Sequence, residues 1–335
     1  MPMAFVSLHK NFGLRTTNRY FGGKMKKLVL ATAILAATAA GTASAATIYD
    51  NKGLTFKVKG DFQVQLRQDV GDDQNLDVEF DDLELKNSVV YDLGNGMKAF
   101  GQLDFGFKND ANGKSDGSHL EEAYVGLDFG PAAVAIGQMD LAGDNFGIEA
   151  QYENKLSEDR FEAVRDSGDD VIRVTTELGG VALVATAELE AESETSGDGE
   201  AYDVFAATSF GAVDVALAYQ NVEEAGTGDI DTWGASVAWD AGIATLAADY
   251  STSDTDAGDI DQYNLAAIFP VADTTHIAVG MANIEEDGKD DISEWYANVT
   301  YAFANQPNVS VFAEIADTDE DNTDLGGLVG MRLKF

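Results

Sequence analysis

The sequence predicts an all-β protein, a 16-stranded antiparallel transmembrane β-barrel, and three observations predict it. The chain ends in a period-2 strand, it carries an export signal near its start, and its strand connections alternate between short turns and long acidic loops. From Val329 to Phe335 the apolar residues Val329, Met331, Leu333 and Phe335 alternate with Gly330, Arg332 and Lys334, which gives one greasy and one wet face. A strand of that kind at the last residue suits a ring whose final strand closes on the first.

Met25-Lys26-Lys27, the apolar run from Leu28 to Ala40, and Ala43-Ser44-Ala45 have the charged start, apolar middle and small-residue cleavage site of a secretory signal. The apolar run falls well short of the roughly 20 residues that a spanning helix needs. The expected division is therefore 1–24 as an upstream extension ahead of the true start, 25–45 as a cleaved signal, and 46–335 as the barrel.

Charge narrows the partners. The chain has 59 acidic and 21 basic residues, a net charge of −38, and the first 45 residues contain no acid at all. Nucleic acid is excluded as a partner, because phosphate binding needs clustered Lys and Arg. Between Arg173 and Lys289 there is no Lys or Arg, so that stretch attracts only cations. An apolar fraction of 45% is too high for a disordered acidic tail. With no cysteine there is no thiolate metal site, and no cofactor is expected.

The first barrel strand is the clearest. Over 54–67, Leu54, Phe56, Val58, Phe62, Val64 and Leu66 share one face, while Lys57, Lys59, Asp61, Gln63, Gln65 and Arg67 share the other. The same pattern predicts strands over 78–93, 97–108, 119–129, 132–139 and 171–178. It continues over 181–190, 201–210, 212–222, 231–240 and 243–252, and ends with 260–269, 274–284, 292–303, 307–317 and 324–335, sixteen in all. Short connections carry turn residues, as in Gly94-Asn95-Gly96, Gly130-Pro131 and Gly179-Gly180. Long ones are acidic, as in 192–200, 254–259, 285–291 and 317–324. Short turns at one rim and long loops at the other is the layout of an outer-membrane barrel.

A ten-residue strand rises roughly 33 Å and, tilted by about 40°, crosses about 25 Å of apolar membrane. Aromatic residues near strand ends, including Phe129, Phe210, Trp233, Trp239, Phe303 and Phe335, suit rings at the lipid interfaces. A soluble sandwich or propeller fits less well, because the non-apolar face carries Glu, Asp, Gln, Lys and Thr in mid-strand, where a dry core needs large apolar residues.

One connection breaks the length pattern. Asp140 to Asp170 spans 31 residues between the fifth and sixth predicted strands. Glu122-Ala123-Tyr124-Val125-Gly126-Leu127 before a Phe-Gly turn, the long third loop, Asp170-Val171-Ile172-Arg173-Val174 after it, and the terminal Phe335 follow in the order seen in the Gram-negative general diffusion porins. The mature chain resembles that family over its whole length. The resemblance implies a third loop folded into the barrel, a water-filled channel for small hydrophilic solutes, a homotrimer, and contact with outer-membrane lipid and lipopolysaccharide.

Family members set a basic ladder on the wall against acids on the inward loop. Here Arg173 keeps one ladder place, while Glu84, Glu121 and Gln138 stand at places that resemble others, and the loop lacks the family's Pro-Glu-Phe-Gly-Gly turn. Asp144, Glu149 and Glu153 are the loop acids expected at the constriction; Glu158 and Asp159 are further candidates, with Lys155, Arg160 and Arg165 pinning the loop to an acidic wall. Carboxylates at a narrow neck concentrate cations, so cation selectivity is expected.

Asp317-Thr318-Asp319-Glu320-Asp321 fails the EF-hand pattern, since Asn322 replaces the turn glycine and Leu328 the bidentate Glu, so no metal site is assigned. Weak collective binding of divalent cations by the loops is the residual alternative. His119 and His276 lack a serine partner motif, which points away from an enzyme. A substrate-selective channel and a structural or adhesive barrel without an open pore are the alternative functions.

Overall fold

The computed structural model describes residues 45–335 apart from 73, 109–117, 153–155, 190–198, 225–227 and 322. Positions 1–44, which hold the extension and nearly all of the export signal, lie outside the described residues, as do Glu153, Lys155 and most of the 192–200 loop.

All sixteen predicted strands form, preceded by one short strand that the pattern did not announce. They are β1 (Ala46–Asn51), β2 (Leu54–Gln68), β3 (Asp77–Gly94), β4 (Met97–Gly106), β5 (His119–Asp128) and β6 (Ala132–Asp140). Then follow β7 (Ser167–Leu178), β8 (Val181–Glu188), β9 (Glu200–Phe210), β10 (Val213–Glu224), β11 (Gly228–Asp240) and β12 (Thr245–Thr255). The last five are β13 (Gly258–Ala272), β14 (Thr275–Glu286), β15 (Ile292–Phe303), β16 (Gln306–Thr318) and β17 (Gly326–Lys334). From β2 to β17 each pairs antiparallel with its neighbours in chain order. Strand β17 returns to β2, from Lys334 opposite Asp61 to Gly327 opposite Gln68, and so closes a ring of sixteen with no exposed edge.

The extra strand β1 lies on the same side of β2 as β17, paired from Ala46 opposite Val58 to Asn51 opposite Leu54. Its hairpin turns at Lys52 and Gly53, both at positive φ (53° and 80°), a twist that suits two tightly paired strands. Six residues contain too few alternations to stand out beside an export signal, and only the ladder with β2 defines them. Strand β7 also starts earlier than its pattern suggests, at Ser167, because Ser167 to Asp170 are polar or glycine and hide the alternation.

The alternation is inside out relative to a soluble protein. Leu217, Trp233, Leu265 and Ile315 point outward and are exposed, while Gln220, Thr232, Ser251, Gln262 and Glu314 point inward and are buried. Phe129, Phe210, Trp239, Phe303 and Phe335 are exposed near strand ends, where rings are expected at a lipid interface. At three short turns an aspartate at the strand end accepts the N–H two residues on: Asp92 from Gly94 (2.8 Å), Asp128 from Gly130 (2.7 Å) and Asp240 from Gly242 (2.8 Å). Among the described residues no helix is long and apolar enough to cross a membrane.

Candidate functional site

The long connection between β6 and β7, Leu141–Asp166, folds into the lumen. Among its described residues are a 3-10 turn, Gly143–Asn145, and a short helix, α1 (Arg160–Val164), whose first N–H groups are capped by Asp159 Oδ1. Its apolar residues Ala142, Phe146, Ile148 and Phe161 are buried against Val184, Phe205 and a coat of small inward residues on the wall, among them Ala207, Ala238, Ala266 and Ala316. Phe146 and Phe161 meet at 5.0 Å between ring centres, and Phe146 lies over Gly234, where a Cβ would come within 2.5 Å of its ring.

Hydrogen bonds fasten the loop along the wall from β8 to β16. Thr186 accepts Ala142 N–H (2.9 Å), Asp203 accepts Gly143 N–H, and Gln220 donates to the Arg165 carbonyl (2.8 Å). Further round, Gln262 (2.7 Å) and Asn264 (2.6 Å) donate to the Glu158 carbonyl, Glu294 accepts Ser157 N–H (2.8 Å), and Glu314 accepts Tyr152 N–H (2.8 Å). Tyr152 stacks flat on Phe312 at 4.1 Å, and Arg165 pairs with Glu188 at 2.8 Å. The backbone of a loop inside a barrel needs such partners, because each N–H or C=O left without one costs about 1–3 kcal/mol.

Between the loop and strands β3–β6 an opening of about 350 Å³ remains. Among the described residues it is lined by eight carboxylates, Asp82, Glu84, Asp104, Glu121, Glu122, Asp140, Asp144 and Asp166, and by a single lysine, Lys86. Four sequence candidates therefore share one space: Glu84, Glu121, Gln138 and Asp144. Lys86 sits between Glu84 (2.8 Å) and Asp104 (2.7 Å), Gln102 donates to Glu122, and Gln138 donates to the Leu120 carbonyl (2.8 Å). Glu84, Asp104 and Glu121 bring one oxygen each within 4.8 Å of one another, but Lys86 already supplies the positive charge there.

The other candidates separate from this group. Arg173 is turned onto the Asp140 carbonyl (3.1 Å) at the edge of the opening, and Glu149 lies away from it, in the seam between the loop and β13, β14 and β15, with Asp249 of β12 beside it. Glu153 lies outside the described residues. Asp159 serves α1 as its cap, and Arg160 rests on Ser253 (3.3 Å). His119 faces Glu121 at 3.4 Å, and His276 is buried in β14 opposite Pro270.

Besides Arg173, other cations stand on the wall strands. Arg332 binds Asp61 through two nitrogens (2.8 and 2.6 Å) and also reaches Asp82, while Lys334 meets Asp61 at 3.2 Å. With Lys86 these cations form a row on β17 and β3, and each is bracketed by acids. A register shift between Phe62 and Val64 sets Gln63 against both Asp81 and Asp82. This bulge turns both acids toward the lumen side, where Gln63 and Lys108 reach Asp81 and Arg332 reaches Asp82. Adjacent acids in a spanning strand were the available signal, since strict alternation would send one of them into lipid, where a charged side chain is destabilising.

A closed sixteen-stranded barrel, apolar outside and polar inside and narrowed by an inward loop, is the architecture of an outer-membrane channel protein. The chain belongs to the Gram-negative porin family, whose model matches residues 31–323. It is 26% identical over 340 residues to porin-like protein H of Photobacterium profundum, covering 93% of this chain and all of that one. Its fold matches a trimer form of OmpT, an outer membrane protein of Vibrio cholerae (TM-score 0.70, 15% identity, 85% of this chain and 100% of that one). It also matches an anion-selective porin from Comamonas acidovorans (TM-score 0.71, 14% identity, 84% of this chain and 100% of that one).

Proposed function

We propose that this porin is a cation-selective channel through which small hydrophilic solutes diffuse passively. One observation carries the selectivity: among the described residues, eight carboxylates and one lysine surround the opening beside the inward loop. Screening extends over about 8 Å at physiological ionic strength, so fields from opposite walls of so small a space overlap, and cations concentrate there. The neighbouring row of Arg332, Lys334 and Lys86 does not reverse the sign, because Asp61, Asp82, Glu84 and Asp104 bracket it. Glu84, Glu121 and Asp144 are the residues to which we assign the negative field, with Gln138 a neutral wall group. Arg173 shapes the rim, while Glu149 acts through the loop's seat. Glu153 completes the proposed set on the loop.

The same reading takes the chain as a homotrimer in outer-membrane lipid and lipopolysaccharide, as the trimer form of the Vibrio cholerae protein suggests. We read 25–45 as a signal cleaved on export and 1–24 as lying ahead of the true start, on the charged start, apolar run and small-residue site of the sequence. Membership of a family of channels accords with the expectation that the chain is not an enzyme.

The test is single-channel conductance of the refolded mature chain in a planar bilayer, with the reversal potential measured under a KCl gradient. A cation-selective potential with conductance steps in threes is the expected result. Anion preference would overturn the charge assignment, and no conductance from a folded barrel would overturn the channel itself.

A further inference from the structure

The opening does not use the carboxylates in the seam beneath the loop. Asp159 is 2% exposed and Asp249, on β12, is 7% exposed. Glu149 Oε1, Asp159 Oδ2 and Asp249 Oδ2 are each buried with no hydrogen-bond partner. Oε2 of Glu149 and Oδ2 of Asp159 flank one point, 2.6 and 2.7 Å from where a Cβ on Gly147 would stand. Gly147 is at φ +113°, so the absence of a side chain there both permits the turn and leaves room for the two acids.

We propose that Glu149 and Asp249 share a proton across the seam between loop and wall, with Asp159 as the third carboxyl of the group. This shared proton is a latch that keeps the loop seated, so alkaline solution loosens the loop and makes the open channel fluctuate. The proposal rests on the channel reading for its readout.

The surrounding charges favour a proton. Glu162 on α1 adds another acid facing Glu149 and Asp159, and from β15 and β16 the nearby ionisable groups are Glu294, Tyr296 and Glu314. Among the described residues the facing cation is Arg160, whose Nε is turned to Ser253. Asn264 on β13 donates to Asp249 Oδ1 at 2.9 Å, the Ile148 N–H also reaches this carboxyl, and the Glu149 carboxyl lies within hydrogen-bond reach of it. Burial pushes the carboxyls of Glu149 and Asp159 well above the ordinary carboxylate range, and the neighbouring acids push in the same direction.

The sign follows from linkage. A loop off the wall holds ordinary carboxylates, ionised above about pH 5, whereas the seated loop holds a proton. Seating is therefore complete at low pH and is lost as pH rises through the raised values, by up to about tenfold per pH unit for each proton held.

The experiment records open-channel current fluctuations from neutral to strongly alkaline pH in the wild type and in Asp249→Asn. The asparagine still accepts from Asn264, and its amide donates to Glu149 where the shared proton did. Fluctuations that rise with pH in the wild type and stay flat in Asp249→Asn are the expected result. In parallel, infrared spectra of the folded wild type should show a protonated carboxyl band at neutral pH that disappears over the same range; this measurement stands even where the variant does not fold. Conductance present but with fluctuations independent of pH, or no protonated carboxyl band, would overturn the latch while leaving the channel intact. Fluctuations that respond to calcium and chelator in place of pH would overturn it in favour of a bound cation. An absence of conductance at every pH would count against the channel reading instead.

Discussion

Strands β2–β5 and β17 on one side of the lumen and β8–β16 on the other obey the same alternation rule, yet they turn different chemistry inward. The first side presents ionisable groups, with Asp61, Asp82, Glu84, Asp104 and Glu122 around Arg332, Lys334 and Lys86. The second presents alanines, amides and hydroxyls, such as Ala207, Ala238, Gln262, Asn264 and Thr300, and its inward acids Glu188, Asp203, Asp249, Glu294 and Glu314 face the loop in place of the opening. The first wall is left facing the opening. The second is covered by the loop, whose Phe146, Ile148 and Phe161 need small apolar residues to rest on and whose backbone needs donors and acceptors to meet. A polar-inward pattern thus has two uses in one barrel, a solvated surface and a seat for protein.

The strongest way to break this comparison is to remove the cation that ties the charged wall together. Arg332→Ala leaves Asp61 buried beside a lost partner and should cost about 3–5 kcal/mol. It should appear as a lower unfolding temperature of the barrel, and the surviving channel should become more cation-selective. On the opposite wall, Phe161→Ala empties a fully buried site in the loop's core and should weaken loop seating by about 3–5 kcal/mol. Here the expected readout is a larger, noisier conductance with barrel melting little changed. Equal losses of barrel stability in the two variants would mean that the walls are not divided in this way.

Smaller changes sharpen the comparison. Glu121→Gln removes a partly exposed charge from the opening and should lower the cation-to-anion permeability ratio by up to about fivefold, the factor for about 1 kcal/mol from a unit charge at about 4 Å in water. Glu294→Gln on the covered wall should leave that ratio nearly unchanged, since its carboxylate faces the Ser157 N–H. Raising salt toward 1 M shortens screening to about 3 Å and should reduce selectivity in the wild type. Reversal potentials check all three. The least effect belongs to Asp240→Ala, which removes one turn hydrogen bond to Gly242 and should cost about 0.5–1.5 kcal/mol, measurable as a small shift in barrel melting with conductance unchanged.

The period-2 pattern is local, so it reads directly from neighbouring residues. Strands such as Leu54–Gln68 and Gly326–Lys334, the alternation of short and long connections, and the unusual length of the third connection were all legible in that way. The acids Glu84, Glu121 and Asp144, proposed from their places along the chain, do line one opening with Gln138. The row of Arg332, Lys334 and Lys86 was less visible, because its members lie on strands at opposite ends of the chain that become neighbours only when β17 closes on β2. The bulge that turns both Asp81 and Asp82 inward also depends on how β2 pairs with β3.

The sequence by itself determined the barrel, its strand number, its inside-out polarity and its excess of acid, because side-chain alternation and turn chemistry act over a few residues. Only the tertiary structure decided which carboxylates share a space, which cations neutralise them, and that Glu149 is seated in the seam against β13–β15 while Asp144 faces the opening. Those outcomes depend on ring closure and on where a loop comes to rest across the lumen, and contacts between residues more than a hundred positions apart have no period in the chain.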